Sequence, residues 1–177
     1  MVILITGASH TGKSVLAQRL LETYGYSYLS MDHLKMGLIR SGNTQLTPLS
    51  SHLDLTEYLW PIVRELIKTV IENSQNLIVE GCYIPANWQK DFSSDYLRQI
   101  RFICLILSEG YIRNNFPSIQ RYANTVEQRK DDSGITVDSI IRDNVQVLHD
   151  CLEHALPYIL IEDNYEKELA EGIKLWL

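Results

Sequence analysis

One stretch near the start of the sequence combines residue types and a spacing that suit phosphate binding. It fits the pattern Gly-x-x-x-x-Gly-Lys-Ser/Thr, and its members in order are Gly7, Ala8, Ser9, His10, Thr11, Gly12, Lys13 and Ser14. Glycines let backbone N–H groups curl around an anion, and a following helix directs its positive end toward that anion. Lys13 can then reach the β- and γ-phosphates of a nucleotide, and the Ser14 hydroxyl can ligate Mg²⁺. We expect this segment, called the phosphate loop below, to bind a nucleotide; the alternative is a glycine-rich turn without a ligand.

Two carboxylates are candidates for the remaining parts of a phosphoryl-transfer site, which needs a metal and a group that holds the acceptor. Glu80 directly follows an apolar run at 77–79, where a carboxylate can support hydrated Mg²⁺; the alternative is a charge facing solvent. Asp32 follows a second predicted strand at the mouth of a helix. It can act as a base or bind the acceptor hydroxyl, or it can simply be the N-cap of that helix.

Arginines in the polar segment 108–132 are candidates for contacting the transferred phosphoryl. Arg113, Arg121 and Arg129 lie eight residues apart, just over two helical turns, and Pro117 predicts that the segment forms two helical pieces. We expect at least one of the three, with Arg121 preferred over Arg113, to stabilise charge in the transition state. The segment would act as a mobile lid that excludes water. The alternative is a solvated, salt-bridged helix.

The other basic side chains carry weaker indications. His33 and Lys35 are neighbours of the acceptor candidate and could bind an anionic substrate, but a solvated side chain explains each of them better. No role is assigned to His52, His149 or His154, because they have no companions at metal-ligand spacing.

Hydrophobic periodicity predicts the elements that position these groups. Short apolar runs predict five buried strands, at 2–6, 26–30, 77–79, 101–107 and 158–161. Helical spacing predicts helices at 14–24, 34–40, 55–73, from about 137 to 152, and near the end of the chain. Strands that alternate with helices predict an α/β fold with a parallel sheet covered on both faces. Ligands of such sheets bind at the carboxyl ends of the strands, where all the candidate groups fall. We expect one domain over 1–177, with 33–73 as a helical region on the acceptor side.

Composition limits the class of partner. The chain has 177 residues and a formal net charge of −6, which argues against a nucleic-acid binder with a basic surface. No apolar stretch approaches the length that spans a membrane. Since the first predicted strand begins directly after Met1, we expect no signal peptide and a cytoplasmic protein. The three cysteines fit neither a zinc site nor a disulfide framework.

These residues resemble the nucleoside-monophosphate-kinase-like group of P-loop kinases, which includes adenylate, shikimate and gluconate kinases and the phosphotransferases related to zeta toxins. The resemblance implies a three-layer α/β/α P-loop fold, a five-stranded parallel sheet of order 2-3-1-4-5 and a helical lid. It also implies that adenine lies near residues 162–165.

A narrower resemblance is to 2-phosphoglycerate kinase. Residues 80–85 look like the Glu-Gly-x-His-x-x-Pro stretch of that family, and Asp32 with Lys35 looks like its Asp-x-x-Arg segment. Tyr83 stands where the family has His, and Lys35 where it has Arg. The Asp-Gly-Phe-Pro-Arg stretch of adenylate kinases is absent, so the resemblance does not imply AMP as the acceptor.

The sequence therefore predicts an ATP- and Mg²⁺-dependent phosphotransferase that moves the γ-phosphoryl of ATP to a hydroxyl or phosphate of a small-molecule metabolite. Two alternatives stay open. One is a nucleotide-dependent switch with little turnover, and the other is a zeta-toxin-like kinase that acts on a cell-wall sugar nucleotide.

Overall fold

The fold is built on one parallel sheet. The structure is a computed structural model that describes residues 1–122 and 135–176. Its strands are β1 (Val2–Gly7), β2 (Ser27–Ser30), β3 (Leu77–Glu80), β4 (Ile100–Leu107) and β5 (Tyr158–Ile161). They lie in the order β2-β3-β1-β4-β5, and every neighbouring pair is parallel. The predicted α/β class and strand order are confirmed.

Seven α-helices connect or follow the strands within the described residues. They are α1 (Lys13–Tyr24), α2 (Met31–Arg40), α3 (His52–Glu72), α4 (Ser94–Leu97), α5 (Glu109–Tyr122), α6 (Val137–Glu153) and α7 (Tyr165–Trp176), with a 3-10 turn at Trp88–Asp91. Gly25 ends α1 in a left-handed conformation, with φ 66°, as glycine commonly does after a helix. Thr136 caps α6. None of these helices is long and apolar enough to cross a membrane.

Helices cover the sheet on both faces because its central strands are apolar on both. Along β1, Val2 and Leu4 belong to one buried cluster, and Ile3 and Ile5 belong to the other. The apolar face of α3 packs into the first cluster, and α1, α5 and α7 pack into the second. Alternate side chains of a strand point to opposite faces, so this arrangement gives the predicted three layers and fixes the register of the sheet.

Two helices continue through an internal proline. Pro61 lies inside α3, which begins at His52 and not near residue 55. Pro117 lies inside α5, so the prediction that it divides this segment into two helical pieces is wrong. An internal proline costs a helix about 3 kcal/mol. In α5, Ile112 and Ile119 are buried on either side of Pro117, and burial of two such side chains contributes a similar amount.

Candidate active site

The phosphate loop leaves β1 at Gly7 and enters α1 at Lys13. Its backbone passes through left-handed conformations at His10 and Gly12, with φ 66° and 87°. A Cβ atom on Gly7 would lie 2.2 Å from the carbonyl oxygen of Leu105 on β4. Only glycine therefore lets the loop begin this close to the neighbouring strand.

Two side chains of the loop bind the loop itself. Lys13 Nζ donates a hydrogen bond to the carbonyl oxygen of Ala8 at 2.8 Å, and Thr11 Oγ1 donates to the same oxygen at 3.0 Å. Lys13 is only 8% exposed. An ammonium has three N–H groups, so two of them remain for phosphate oxygens. The half-buried members of the loop are Ser9, His10, Gly12 and Ser14.

The first turn of α1 has the features of an anion-binding helix terminus. Gly12 is the N-cap residue and has no side chain to cap the helix, and the first turn contains no acidic residue. The first amides of a helix have no partner within the helix and carry its positive end. The backbone N–H groups of this first turn can therefore donate to an anion.

Glu80 lies beside the loop at the carboxyl end of β3. It is opposite Ile5 of β1 and Ser30 of β2 in the sheet register. It is only 1% exposed, and its carboxylate accepts hydrogen bonds from Ser14 Oγ at 3.3 Å and from the Tyr28 hydroxyl at 2.9 Å. The alternative of a charge facing solvent is therefore wrong. The two predicted metal ligands, Ser14 and Glu80, lie within hydrogen-bonding distance.

Asp32 lies in the first turn of α2 but does not cap it. The helix begins at Met31, two residues earlier than an Asp32 cap would allow, and the side chain of Ser30 accepts from the backbone N–H of His33. The alternative reading of Asp32 as the N-cap is therefore wrong. Its carboxylate instead binds the ammonium group of Lys35.

Lys35 joins Asp32 to the segment that follows β3. Its side chain is 12% exposed, and its ammonium group also donates to the Tyr83 hydroxyl at 2.9 Å. Burial lowers the pKa of Lys35, but the hydrogen bonds to Asp32 and Tyr83 raise it and prevail. Burial, together with the neighbouring Cys82 thiol, raises the pKa of Tyr83 to about 12. At neutral pH the pair is therefore a charged ammonium and a protonated phenol.

His52, to which the sequence analysis assigned no role, contacts Tyr83 and so forms a cluster with Asp32, Lys35 and Tyr83. Its ring stacks on Tyr83 with centroids 5.3 Å apart, and its Nε2 donates to the carbonyl oxygen of Cys82 at 3.0 Å. His52 is the first residue of α3, and Tyr83 is far along the chain. No local pattern could have revealed this contact, because it depends on how α3 packs on the sheet.

His149 also has partners that its sequence context did not reveal. Its Nδ1 lies 3.9 Å from Asp150 and 3.8 Å from Glu153, and oxygens or nitrogens of these three side chains could meet at one ion. His149 and Glu153 are exposed, however, and exposed pairs of this kind contribute little. We assign the cluster no role.

Of the three candidate arginines, the structure describes Arg113 and Arg121. Arg113 pairs with Glu109 at 2.9 Å and lies 3.8 Å from Asp138, and all three side chains are exposed. Arg121 is exposed near the end of α5. Arg129 lies outside the described residues. The surroundings of Arg113 thus match the salt-bridged alternative better than a site contact.

The comparisons with known proteins identify a fold. No protein-family model matches the sequence, and no curated protein is significantly similar to it. Solved structures do match over almost the whole chain. A putative kinase from Chloroflexus aurantiacus J-10-fl superposes with a TM-score of 0.55 at 16% identity, over 99% of this chain and 97% of that one.

Two further structures agree with the first. A sugar kinase from Janibacter sp. HTCC2649 has a TM-score of 0.54 at 16% identity, over 98% of this chain and 92% of that one. Shikimate kinase from Bacteroides thetaiotaomicron has a TM-score of 0.56 at 13% identity, over 99% of this chain and 96% of that one. At these identities the likeness establishes a shared fold. The chain has the P-loop kinase fold of the shikimate-kinase type, which confirms the resemblance seen in the sequence.

Proposed function

We propose that this protein is an ATP- and Mg²⁺-dependent phosphotransferase that moves the γ-phosphoryl of ATP to a hydroxyl or phosphate of a small-molecule metabolite. The observation that carries the proposal is the contact between Ser14 and the buried carboxylate of Glu80, directly beside the phosphate loop. Burial of a carboxylate is costly unless the group is paired or hydrogen-bonded. A glycine-rich turn without a ligand does not require a buried carboxylate beside it.

The donor side follows from the loop. The free N–H groups of Lys13 would bind phosphate oxygens, together with the amides at the start of α1. Ser14 and Glu80 offer hard oxygen donors of the kind that Mg²⁺ prefers, so the residues present fit this ion. When bound, Mg²⁺ would neutralise negative charge on the phosphates.

The acceptor side is the cluster of Asp32, Lys35, Tyr83 and His52. Asp32 would accept the proton of the acceptor hydroxyl, or hold that hydroxyl by a hydrogen bond. Lys35 and Tyr83 would orient the Asp32 carboxylate and contact the rest of the acceptor. Two proteins with the same fold are described as a sugar kinase and a shikimate kinase, which supports a small hydroxylated acceptor.

We also propose a single domain over 1–177, in which segment 108–132 acts as the lid. Of its arginines, Arg121 and Arg129 are better candidates than Arg113, which has carboxylate partners of its own.

A panel of hydroxylated metabolites, nucleosides and their phosphates tests the proposal, with ATP and Mg²⁺ and detection of ADP and of the phosphorylated product. We expect at least one acceptor to be phosphorylated. Lys13→Met should lower that rate about 100-fold or more, because a cation on the transferred phosphoryl is lost. Lys90→Met is the matched control, since Lys90 is exposed in the 3-10 turn, and it should leave the rate unchanged.

Two results would contradict the proposal. If Lys13→Met transferred phosphoryl as fast as the wild type, the phosphate loop would not belong to the mechanism. If no acceptor on a broad panel were phosphorylated while ATP bound tightly, the protein would be a nucleotide-dependent switch.

A further inference from the structure

A tyrosine from the far end of the chain touches the phosphate loop. Tyr165 is the first residue of α7, and its hydroxyl donates to the carbonyl oxygen of Thr11 at 3.0 Å. Its oxygen also lies over Gly12, because a Cβ atom placed there would be 2.0 Å from it. The Tyr165 side chain therefore fits here only because Gly12 has no side chain.

The bonded carbonyl belongs to the same peptide unit as the amide of Gly12. A trans peptide is planar, and its C=O and N–H point in opposite directions. A hydrogen bond that fixes the Thr11 carbonyl on the side of Tyr165 thus fixes the Gly12 N–H on the other side. Within residues 1–122 and 135–176, no backbone carbonyl accepts a hydrogen bond from that N–H, which leaves it to an anion at the start of α1.

Without such a contact this peptide could rotate at low cost. Gly12 has φ 87° and ψ 18°, and glycine populates positive and negative φ almost equally. A rotated peptide would place the Thr11 carbonyl where the Gly12 N–H had been. It would then direct a negative dipole at a bound phosphate in place of a donor.

Contacts of neighbouring residues help to place the tyrosine here. Arg19 of α1 donates to both carboxylate oxygens of Glu166, the next residue after Tyr165, at 2.5 and 2.7 Å. Glu168 accepts from the backbone N–H of Glu162 at 2.8 Å in the turn before α7. Burial raises the pKa of Tyr165 to about 12, so its hydroxyl keeps its proton at neutral pH.

We propose that Tyr165 is a positioning residue that keeps the Thr11–Gly12 peptide turned so that the Gly12 N–H faces the phosphates of the bound nucleotide. The inference rests on the proposed function insofar as the phosphate loop binds ATP. It assigns Tyr165 to the phosphate end of the nucleotide, although the family resemblance places this residue near adenine.

Calorimetric titration of Tyr165→Phe with two probes, ATP and inorganic pyrophosphate in the presence of Mg²⁺, tests the inference. We expect both affinities to fall by a similar factor, roughly fivefold, the effect of about one hydrogen bond. Tyr58→Phe is the matched control, because the Tyr58 hydroxyl also donates to a backbone carbonyl, that of Asn43, at 2.8 Å. It should change neither affinity.

The pattern across the probes decides the outcome. If Tyr165→Phe weakened ATP binding but not pyrophosphate binding, Tyr165 would contact the base, and the inference would be wrong. It would also be wrong if neither affinity changed. A wild-type protein that bound neither probe would overturn the proposed function itself.

A second measurement separates positioning from a general loss of stability. With ¹⁵N-labelled glycine, the Gly12 amide signal of the wild type should move strongly when pyrophosphate is added. In Tyr165→Phe it should move less at saturation, while the shift at Gly7 is retained. Equal shifts of the Gly12 signal in both proteins would refute the positioning role.

Discussion

Ser30 and Asp32 lie two residues apart at the start of α2, and either type of side chain can cap a helix. The structure gives them different partners. Ser30 is 2% exposed and accepts from the backbone of the first turn, and Asp32 binds Lys35. The cap and the candidate acceptor ligand are therefore separate residues, which makes their roles separable by mutation.

Ser30→Ala should lower the free energy of unfolding by about 1 kcal/mol, the usual cost of losing an N-cap. Urea denaturation measures this loss. Ser51→Ala is the matched control, because Ser51 caps α3 in the same way, with a bond of 3.1 Å to the Asp54 amide, and it should cost a similar amount. If Ser30→Ala cost nothing while Asp32→Ala lost that amount, the capping assignment would be reversed.

Asp32→Asn keeps the shape of the side chain but removes its charge. We expect phosphoryl transfer to fall about 100-fold or more, with ATP affinity changed less than about twofold, because the donor site lies in the phosphate loop. Steady-state rates on an accepted substrate, together with ATP titration, check this. Small and equal changes in both quantities would show that Asp32 has no part in the reaction.

Residues of the site differ in how far the sequence could predict them. The phosphate loop was predictable because all of its residues are consecutive. Glu80 was predictable because an apolar run leads directly to it. The contact of Tyr165 with Thr11 was not, because the two residues are far apart in the sequence and meet only through the packing of α7. The capping by Ser30 was missed because two good caps compete, and only the backbone decides between them.

At the level of elements, the close approach of β4 to the phosphate loop depends on one position. Gly7 has φ 138° and no room for a Cβ atom beside Leu105. Gly37, inside α2, has open space around its Cα and no unusual backbone angle. Substitution by alanine should therefore change stability in opposite directions at these two glycines.

Gly7→Ala should destabilise the protein by about 3 kcal/mol or more, because the methyl group would overlap the backbone of β4 in a strained conformation. Gly37→Ala should stabilise it by about 0.5–1 kcal/mol, since alanine favours a helix over glycine. Chemical denaturation of both variants measures these changes. A Gly7→Ala protein as stable as the wild type would contradict the geometry of the loop.

The existence of the strands was easier to predict than the bounds of the helices. Apolar runs such as 77–79 identify strands that are buried on both faces. The rule that proline interrupts a helix fails for α3 and α5, because Pro61 and Pro117 lie within them. Burial of a whole helix face stabilises the helix by more than one lost hydrogen bond costs. A local sequence pattern does not give the sizes of these two free energies.

At the scale of the whole molecule, one buried tyrosine and one half-buried tyrosine make stability depend on pH. The pKa values of Tyr83 and Tyr165 are both raised to about 12 from the model-peptide value of 10.0. The folded protein therefore holds these protons more tightly than the unfolded chain. Their contribution is fully present below about pH 10 and is lost as the pH rises toward about 12.

Between about pH 9 and about pH 11, each of these tyrosines should reduce the free energy of unfolding by roughly 1 kcal/mol. Tyr83→Phe removes one titrating group, so its stability should fall less steeply than that of the wild type over this interval. Urea midpoints at several pH values give the slope, with Tyr24→Phe, an exposed tyrosine, as the control. Identical slopes for Tyr83→Phe and the wild type would contradict the burial of this phenol.

Because β1 lies between β3 and β4 in the sheet, it can pair with these strands only after they have been synthesised. Val2 pairs with Leu77 and Ile100, residues that follow it by 75 and 98 positions (77 − 2 and 100 − 2). A ribosome adds about 5–20 residues per second, so β1 waits roughly 5–20 seconds for β4 to be synthesised. The close approach of Gly7 to Leu105 cannot form before then. The nascent chain thus contains the complete phosphate-loop sequence roughly 5–20 seconds before the loop can contact β4.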